Sequence, residues 1–152
     1  MSFLGIDIGT SGLRALLTDE SGKALHTEEV SYGTSVPSFG WSEQDPKIWI
    51  GALEASIGKI RQSVSEFRDL SGICVSGHMH GATLLDNQGH VLRPCILWND
   101  TRSSKECIEF ENQDFDVRNI SGNITMPGFT APKINWIKNN EKEHFKKIHK
   151  VL

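Results

Sequence analysis

Several features that mark other classes of protein are missing from this sequence of 152 residues. It carries no strong positive charge, because the formal net charge is −3, and this argues against a nucleic-acid partner. No apolar run approaches the roughly 20 residues that cross a bilayer. The apolar start at residues 1–6 is too short for a signal peptide, since Asp7 ends it. The sequence therefore predicts a protein that binds neither nucleic acid nor a membrane.

Cysteine is also scarce, with three residues and no C-x-x-C pair. Cys74 and Cys95 lie in apolar stretches, so we expect both to be small core residues. An odd number of cysteines without an evident pairing is typical of a reducing compartment. The sequence therefore predicts a cytoplasmic protein.

The most informative segment runs from Leu4 to Leu17 and predicts two apolar strands joined by a polar, glycine-rich turn. The carboxylate of Asp7 interrupts the first strand. Backbone amides and hydroxyls donate to phosphate oxygens, and a carboxylate holds a metal ion or its waters. The segment therefore predicts a joint site for magnesium and phosphate, formed by Asp7, Gly9, Thr10, Ser11, Gly12 and Arg14.

Two familiar nucleotide motifs do not describe this turn. The P-loop pattern G-x-x-x-x-G-K-[ST] is absent, and the glycine spacing with a following strand does not fit a dinucleotide fingerprint. The alternative is an ordinary hairpin whose glycines supply positive φ. That alternative gives no reason for a carboxylate in an apolar strand, where an unpaired buried charge costs several kcal/mol.

Hydrophobic periodicity predicts a strand meander followed by alternating helices and strands. In the first half we expect strands at 3–8, 12–19 and 24–31, an irregular stretch at 32–46, a helix from Pro46 to about residue 66 capped by Asp45, and a buried strand at 70–76. In the second half we expect a strand pair at 81–86 and 91–98, a loop at 122–129, and helices at 101–112, 115–120, 132–140 and 141–149. This order favours a three-layer α/β domain. The last residues, 150–152, look like the start of a strand, so we expect a piece of a longer protein.

A second group of polar residues follows the inner strand, at the sheet edge where ligands of α/β proteins bind. We interpret His78 as a hydrogen-bonded turn residue and His80 as a substrate contact. A metal held by both histidines is disfavoured, because alternate residues of an extended segment point in opposite directions. Trp98 then offers an apolar wall, and the polar groups of Asn99, Asp100 and Arg102 suit a polyol. The alternative is that Asn99 or Asp100 caps the next helix.

With these residues assembled, the chain resembles the amino-terminal part of the FGGY family of carbohydrate kinases. The segments that carry the resemblance are Gly5–Gly12, Trp41–Pro46, Met79–Asp86, Leu92–Asp100 with Arg102, and Met126–Lys133. The resemblance implies the ribonuclease-H-like α/β fold of actin, hexokinase and Hsp70-type ATPases, with a mixed sheet and flanking helices. It implies that residues 1–152 are most of the amino-terminal domain and that a carboxy-terminal domain lies outside the chain.

The resemblance also implies an activity, the ATP-dependent phosphorylation of D-xylulose to D-xylulose 5-phosphate with Mg²⁺. Asp7 would lie near the metal and the transferred phosphate, and Thr10 and Ser11 beside the β- and γ-phosphates. Met79 and His80 match the family's sugar-contacting pair, while Asp100 and Arg102 match positions near the sugar. The catalytic base and the adenosine pocket would lie beyond residue 152, so we expect this chain to be inactive alone.

The resemblance leaves the substrate open in one respect. His78 stands where family members acting on D-xylulose usually carry glutamine, and members acting on gluconate can share Met79 and His80. The alternatives are a kinase for another pentulose or a sugar acid, an ATP-dependent actin-like or chaperone-like binding protein, and a sugar sensor without catalysis. A domain face meant for the second domain would favour a homodimer.

Overall fold

The structure is a computed structural model that describes residues 1–112 and 116–152. The strands are β1 (Ser2–Ile8), β2 (Gly12–Asp19), β3 (Ala24–Ser31), β4 (Glu43–Gln44), β5 (Leu70–Gly77), β6 (Leu84–Leu85), β7 (Cys95–Ile96) and β8 (Lys150–Val151). The α-helices are α1 (Pro46–Ser63), α2 (Ser104–Glu111), α3 (Val117–Ser121), α4 (Thr130–Asn140) and α5 (Lys142–Phe145), and a 3₁₀ helix spans Ser65–Asp69. None of these helices has the length and apolar character that a membrane span requires. The elements fall into two units.

The first unit comprises Met1–Thr34 and Lys47–His78 and contains a mixed four-stranded sheet. The strand order is β3-β2-β1-β5, in which β1 pairs antiparallel with β2 and β2 with β3, while β5 runs parallel to β1. The predicted meander is thus confirmed, with its strand boundaries displaced by at most one residue. The α/β class and the mixed sheet are also as predicted.

Alternation along β1 and β2 decides which side chains enter the core of this unit. Leu4 and Ile6 point to the face that α1 covers, where they pack with Ala52, Ile60 and the buried residues of β2. Each apolar side chain of this size contributes about 2 kcal/mol when fully buried. Phe3 and Asp7 lie on the opposite face and are exposed. Our premise that the Asp7 carboxylate sits on a buried strand face is therefore wrong.

Two predictions for this unit are corrected. The helix that begins at Pro46 ends at Ser63 rather than near residue 66, because Val64 adopts an extended backbone (φ −134°, ψ 117°) before the 3₁₀ helix. β5 is not buried, since Ile73 and Val75 are 59% and 60% exposed. It forms an edge of the sheet in the described residues, and Cys74 is exposed rather than a core residue.

The second unit comprises Ser35–Pro46 and Met79–Leu152. It contains two short antiparallel ribbons, β4 with β7 and β6 with β8. Its apolar core joins Ala82 and Leu84 to Ile96 and Ile137. Cys95 is buried here, as predicted. The loop at 122–129 and the helices near 101–112 and 132–140 are also found, and the strand expected from residue 150 is present as β8.

Other boundaries in the second unit differ from the predictions. The strands expected at 81–86 and 91–98 shrink to β6 and β7. Pro94, which has no N–H for a sheet ladder, immediately precedes β7. Isolated bridges join Ala82 to Ile96 and Leu85 to Val91. The stretch 32–46 is not wholly irregular, because it contains β4. The helix expected at 141–149 is limited to α5. Of the helix expected at 115–120, α3 is seen from Val117, and residue 115 lies outside the described residues.

Candidate functional site

The turn between β1 and β2 is tight and is held from behind by the end of β3. The Gly9 N–H donates to the Gly12 carbonyl at 2.9 Å and closes the turn. The Tyr32 hydroxyl donates to the Gly9 carbonyl at 2.9 Å, and the Tyr32 N–H donates to the Ser11 carbonyl at 3.0 Å. A Cβ on Gly12 would lie 2.7 Å from the Val30 carbonyl oxygen. The backbone approach therefore demands glycine at residue 12.

Asp7 lies on the exposed face of β1 and borders a cavity of about 270 Å³ together with the turn. Ser11, Gly12 and Arg14 line the same cavity, as does Glu29 from β3. Asp7 forms no ion pair with any residue in the described ranges 1–112 and 116–152. Its charge, together with burial of the phenol as the larger cause, raises the pKa of Tyr32. The carboxylate is therefore open to a ligand.

Arg14 lies opposite Asp7 in the β1–β2 register but points to a different partner. Its Nη2 and Nε atoms lie 2.6 and 2.7 Å from Oε1 of Glu29, and both side chains are exposed. The cavity wall thus holds two carboxylates and one guanidinium, which leaves one negative charge. This balance favours a cation at the cavity. Within the described residues no group of three metal-ligating side chains exists, so a metal here would need waters or phosphate oxygens as its other ligands.

His78 follows β5 and packs against the back of the same turn. Its ring centroid lies 4.9 Å from that of Trp49, and it is hydrogen-bonded to the Gly9 backbone. Burial lowers the pKa of His78, and its Nε2 atom is buried without a hydrogen-bond partner among the described residues. His78 is therefore a hydrogen-bonded turn residue, as expected. Sequence reasoning grouped it with the substrate segment and missed its contact with the β1–β2 turn.

The second unit holds a separate cavity of about 370 Å³. It is lined by His80 and Trp98 and by the loop 126–129. The His80 ring packs on Phe129 at 4.8 Å between centroids, and Trp98 is half exposed. This aromatic wall with adjacent polar groups is suited to a small polar ligand with an apolar face. Met79 is 69% exposed and is not part of this lining. The structure thus brings three predicted residues, His80, Trp98 and Asp100, to one cavity.

Asp100 and Arg102 form a buried pair. Oδ1 of Asp100 accepts from the Arg102 N–H and Nε at 2.9 Å each, and Oδ2 accepts from Nη2 at 2.8 Å. The Arg102 guanidinium also lies 3.8 Å from the Trp41 ring centroid and 2.6 Å from a Glu43 oxygen. The Arg102 side chain is fully buried, so it supports the cavity from behind. The described conformation does not support its predicted contact with substrate.

The alternative that Asn99 or Asp100 caps the following helix is wrong. α2 begins at Ser104, and Ser103 occupies its capping position. The Oδ2 atom of Asp100 instead accepts from the Ser42 N–H at 2.6 Å. This contact ties the segment before α2 to the segment before β4.

Lys133 is a residue at this cavity whose role sequence reasoning missed. It lies on α4, is fully buried, and donates from Nζ to the carbonyls of His80 and Gly128 at 2.7 and 2.8 Å. Burial lowers its pKa to about 8. A signal was present, because Lys133 shares the apolar helix face of Ile137 at i, i+4 spacing. A lysine on a core-facing stripe indicates a specific buried partner.

Comparisons with known proteins agree with this description. The model of the N-terminal domain of the FGGY family of carbohydrate kinases matches residues 2–152. The chain is 45% identical over 152 residues to a xylulose kinase from Klebsiella pneumoniae and 43% identical over 150 residues to one from Escherichia coli K12. Each alignment covers 99% of this chain but 31% of the relative. The chain therefore spans about a third of the length of these curated relatives.

Solved structures give the same result. A xylulose kinase from Brucella ovis superimposes with a TM-score of 0.96 and 50% identity, over 100% of this chain and 32% of that one. The predicted ribonuclease-H-like ATPase fold is thereby confirmed. From the family model, these relatives and this superposition, the chain belongs to the FGGY family of carbohydrate kinases, as an N-terminal domain of that family.

Proposed function

We propose that the protein containing this chain transfers the γ-phosphate of ATP to D-xylulose and produces D-xylulose 5-phosphate. Residues 1–152 would be most of its amino-terminal domain, and a carboxy-terminal domain outside this chain would supply the adenosine pocket and the catalytic base. The observation that carries the proposal is the open Asp7 carboxylate beside a glycine turn, in a chain similar over its whole length to xylulose kinases. On this proposal the chain alone is inactive.

The β1–β2 turn would hold the phosphates. Its glycines bring backbone close to the ligand, and the hydroxyls of Thr10 and Ser11 can donate to phosphate oxygens. Tyr32 fixes the turn in advance through its two hydrogen bonds, so little conformational entropy is lost when a ligand binds. Arg14 lies at the cavity edge, where its guanidinium would face the phosphates while Glu29 balances its charge.

Asp7 would support the divalent cation that FGGY kinases use, which we take to be Mg²⁺. The donor set fits, since one exposed carboxylate at a cavity of net negative charge suits an ion that keeps several waters and shares phosphate oxygens. When bound, the ion neutralises charge that develops on the transferred phosphoryl group. Asp7 is the catalytic residue that this chain contributes.

His80 and Trp98 would contact the sugar in the cavity of the second unit. Met79 lies outside the lining of this cavity and would belong to the sugar site only as the chain neighbour of His80. Trp98 supplies an apolar wall for the C–H face of the sugar, and the His80 ring, held by Phe129, supplies a hydrogen-bonding group. Asp100 borders the cavity and Arg102 holds it in place, so a role of Arg102 in sugar binding would be indirect.

The experiment is a coupled assay of ADP release by the full-length protein, with D-xylulose, D-ribulose, L-ribulose and gluconate as acceptors. The proposal expects the highest kcat/KM with D-xylulose. A preference for another pentulose or for gluconate would change the assigned substrate but retain the assignment as a carbohydrate kinase. ATP hydrolysis that no sugar changes would favour an actin-like or chaperone-like binding protein. Location in the cytoplasm and a homodimer remain predictions.

A further inference from the structure

Lys133 is a buried cation with an unusual set of partners. Its ammonium group is fully buried on α4, yet its hydrogen bonds go to two backbone carbonyls rather than to a carboxylate. Burying an ammonium ion costs several kcal/mol unless its donors are satisfied. The depressed pKa of this lysine, caused by burial, reflects that cost. A neutral side chain would fill the same space without this desolvation cost. The buried ammonium group therefore indicates a specific role for its N–H donors.

The two acceptors lie far apart in the sequence but border one cavity. His80 and Gly128 both line the pocket of Trp98. Lys133 Nζ is 2.7 Å from one carbonyl oxygen and 2.8 Å from the other. A single nitrogen atom therefore fixes the separation of the two walls.

Both walls have backbone geometry that needs such support. His80 has a φ of 59°, the left-handed conformation that residues with a side chain rarely adopt. Gly128 approaches Trp98 so closely that a Cβ would lie 2.5 Å from the Trp98 carbonyl oxygen. Without the bridge, His80 would be released toward ordinary backbone angles and its ring would leave Phe129.

We propose that Lys133 is a positioning residue for the sugar, which sets the orientation of His80 and the width of the pocket by holding the His80 and Gly128 carbonyls on one ammonium group. This inference rests on the proposed function, because it assumes that the sugar occupies this cavity. Lys133 has no exposed surface, so it acts through the two segments that it holds.

The test uses the full-length protein with Lys133→Met, Lys133→Arg and, as the matched control on the exposed face of the same helix, Lys138→Met. We expect Lys133→Met to raise the KM for D-xylulose by at least about tenfold, since displacements near 1 Å cost up to 100-fold. The KM for ATP should stay within about twofold of the wild type. Lys133→Arg keeps the charge but cannot place one nitrogen between both carbonyls, so its sugar KM should be intermediate. Lys138→Met should behave as the wild type.

Sugar affinity measured by calorimetry without ATP gives a readout that does not depend on turnover, and thermal unfolding shows which variants fold. If Lys133→Met does not fold, Lys133→Arg decides the question. An unchanged sugar KM in a folded Lys133 variant would overturn the inference, as would an equal rise in the KM values for ATP and sugar, which indicates general damage. A wild-type protein that phosphorylates none of the sugars tested would instead refute the proposed function.

Discussion

Substitution of Gly12 by alanine should disable the β1–β2 turn, which we propose holds the phosphates, while leaving the proposed sugar cavity intact. A Cβ at this position would meet the Val30 carbonyl oxygen at 2.7 Å and the Ser31 Cα at 3.1 Å. Both atoms belong to the backbone of β3, so no side chain can rotate away. Restoring an ordinary contact of 3.4 Å requires the turn or β3 to move by about 0.7 Å. Overpacking of this kind costs about 1–3 kcal/mol of stability.

The functional loss should be larger than the loss of stability. A shift of this size displaces the hydroxyls and amides of residues 9–12 relative to the phosphates, and a misplacement near 1 Å can cost about 100-fold in rate. We therefore expect kcat/KM for ATP to fall by about 10- to 100-fold in Gly12→Ala, with the D-xylulose dissociation constant unchanged. The assay is steady-state kinetics with ATP varied, beside calorimetric sugar binding.

The matched control is Gly58→Ala in α1, where a Cβ would meet nothing within 4 Å. Alanine should stabilise that helix position by about 1 kcal/mol and leave the kinetics unchanged. Wild-type ATP kinetics in a folded Gly12→Ala protein would refute the argument that close backbone approach shapes the turn.

Two further predictions concern the second unit. In urea titrations, Arg102→Met should lower the unfolding free energy by about 3–5 kcal/mol, because it leaves the buried Asp100 carboxylate without its cation. The control, Arg14→Met, breaks an exposed ion pair in the first unit and should cost at most about 1 kcal/mol. Equal losses in the two variants would contradict this account. Hydrogen bonds, of which that from the Thr125 N–H is the largest cause, lower the pKa of Glu111 from 4.5 to about 2. The ionised carboxylate therefore stabilises the fold above pH 4.5, and this stabilisation is lost as the pH falls toward 2. The difference in unfolding free energy between the wild type and Glu111→Gln should accordingly shrink over that range, and a constant difference would show that Glu111 contributes nothing through its charge.

The features predicted well from sequence are those set by neighbours along the chain. The alternation of Leu4 and Ile6 with polar or small residues specifies the hairpin and its buried face, and the turn glycines mark the site. The same alternation implies that Asp7 lies on the opposite face from Leu4 and Ile6. The apolar composition of the strand suggested burial instead, and the structure corrects this point.

The features that sequence reasoning missed depend on partners distant in the chain. The apolar residues of β5 predict a buried strand. Whether an edge strand is buried depends on which distant parts of the chain pack against it, and the residues of the strand do not show this. The sequence around Arg102 does not show that Trp41 and Glu43 contact its side chain. Lys133 acts on His80, 53 residues away, through a backbone carbonyl that no side-chain pattern reveals.

The account depends most on Asp7, and Asp7→Asn in the full-length protein tests it directly. The substitution keeps the shape of the side chain and removes the charge that would support the cation. We expect kcat with D-xylulose to fall by about 10²- to 10³-fold while the calorimetric affinity for the sugar is unchanged. The control, Glu20→Gln at an exposed turn position, should retain full activity. A kcat in Asp7→Asn close to that of the wild type would contradict the central claim that this carboxylate serves phosphoryl transfer.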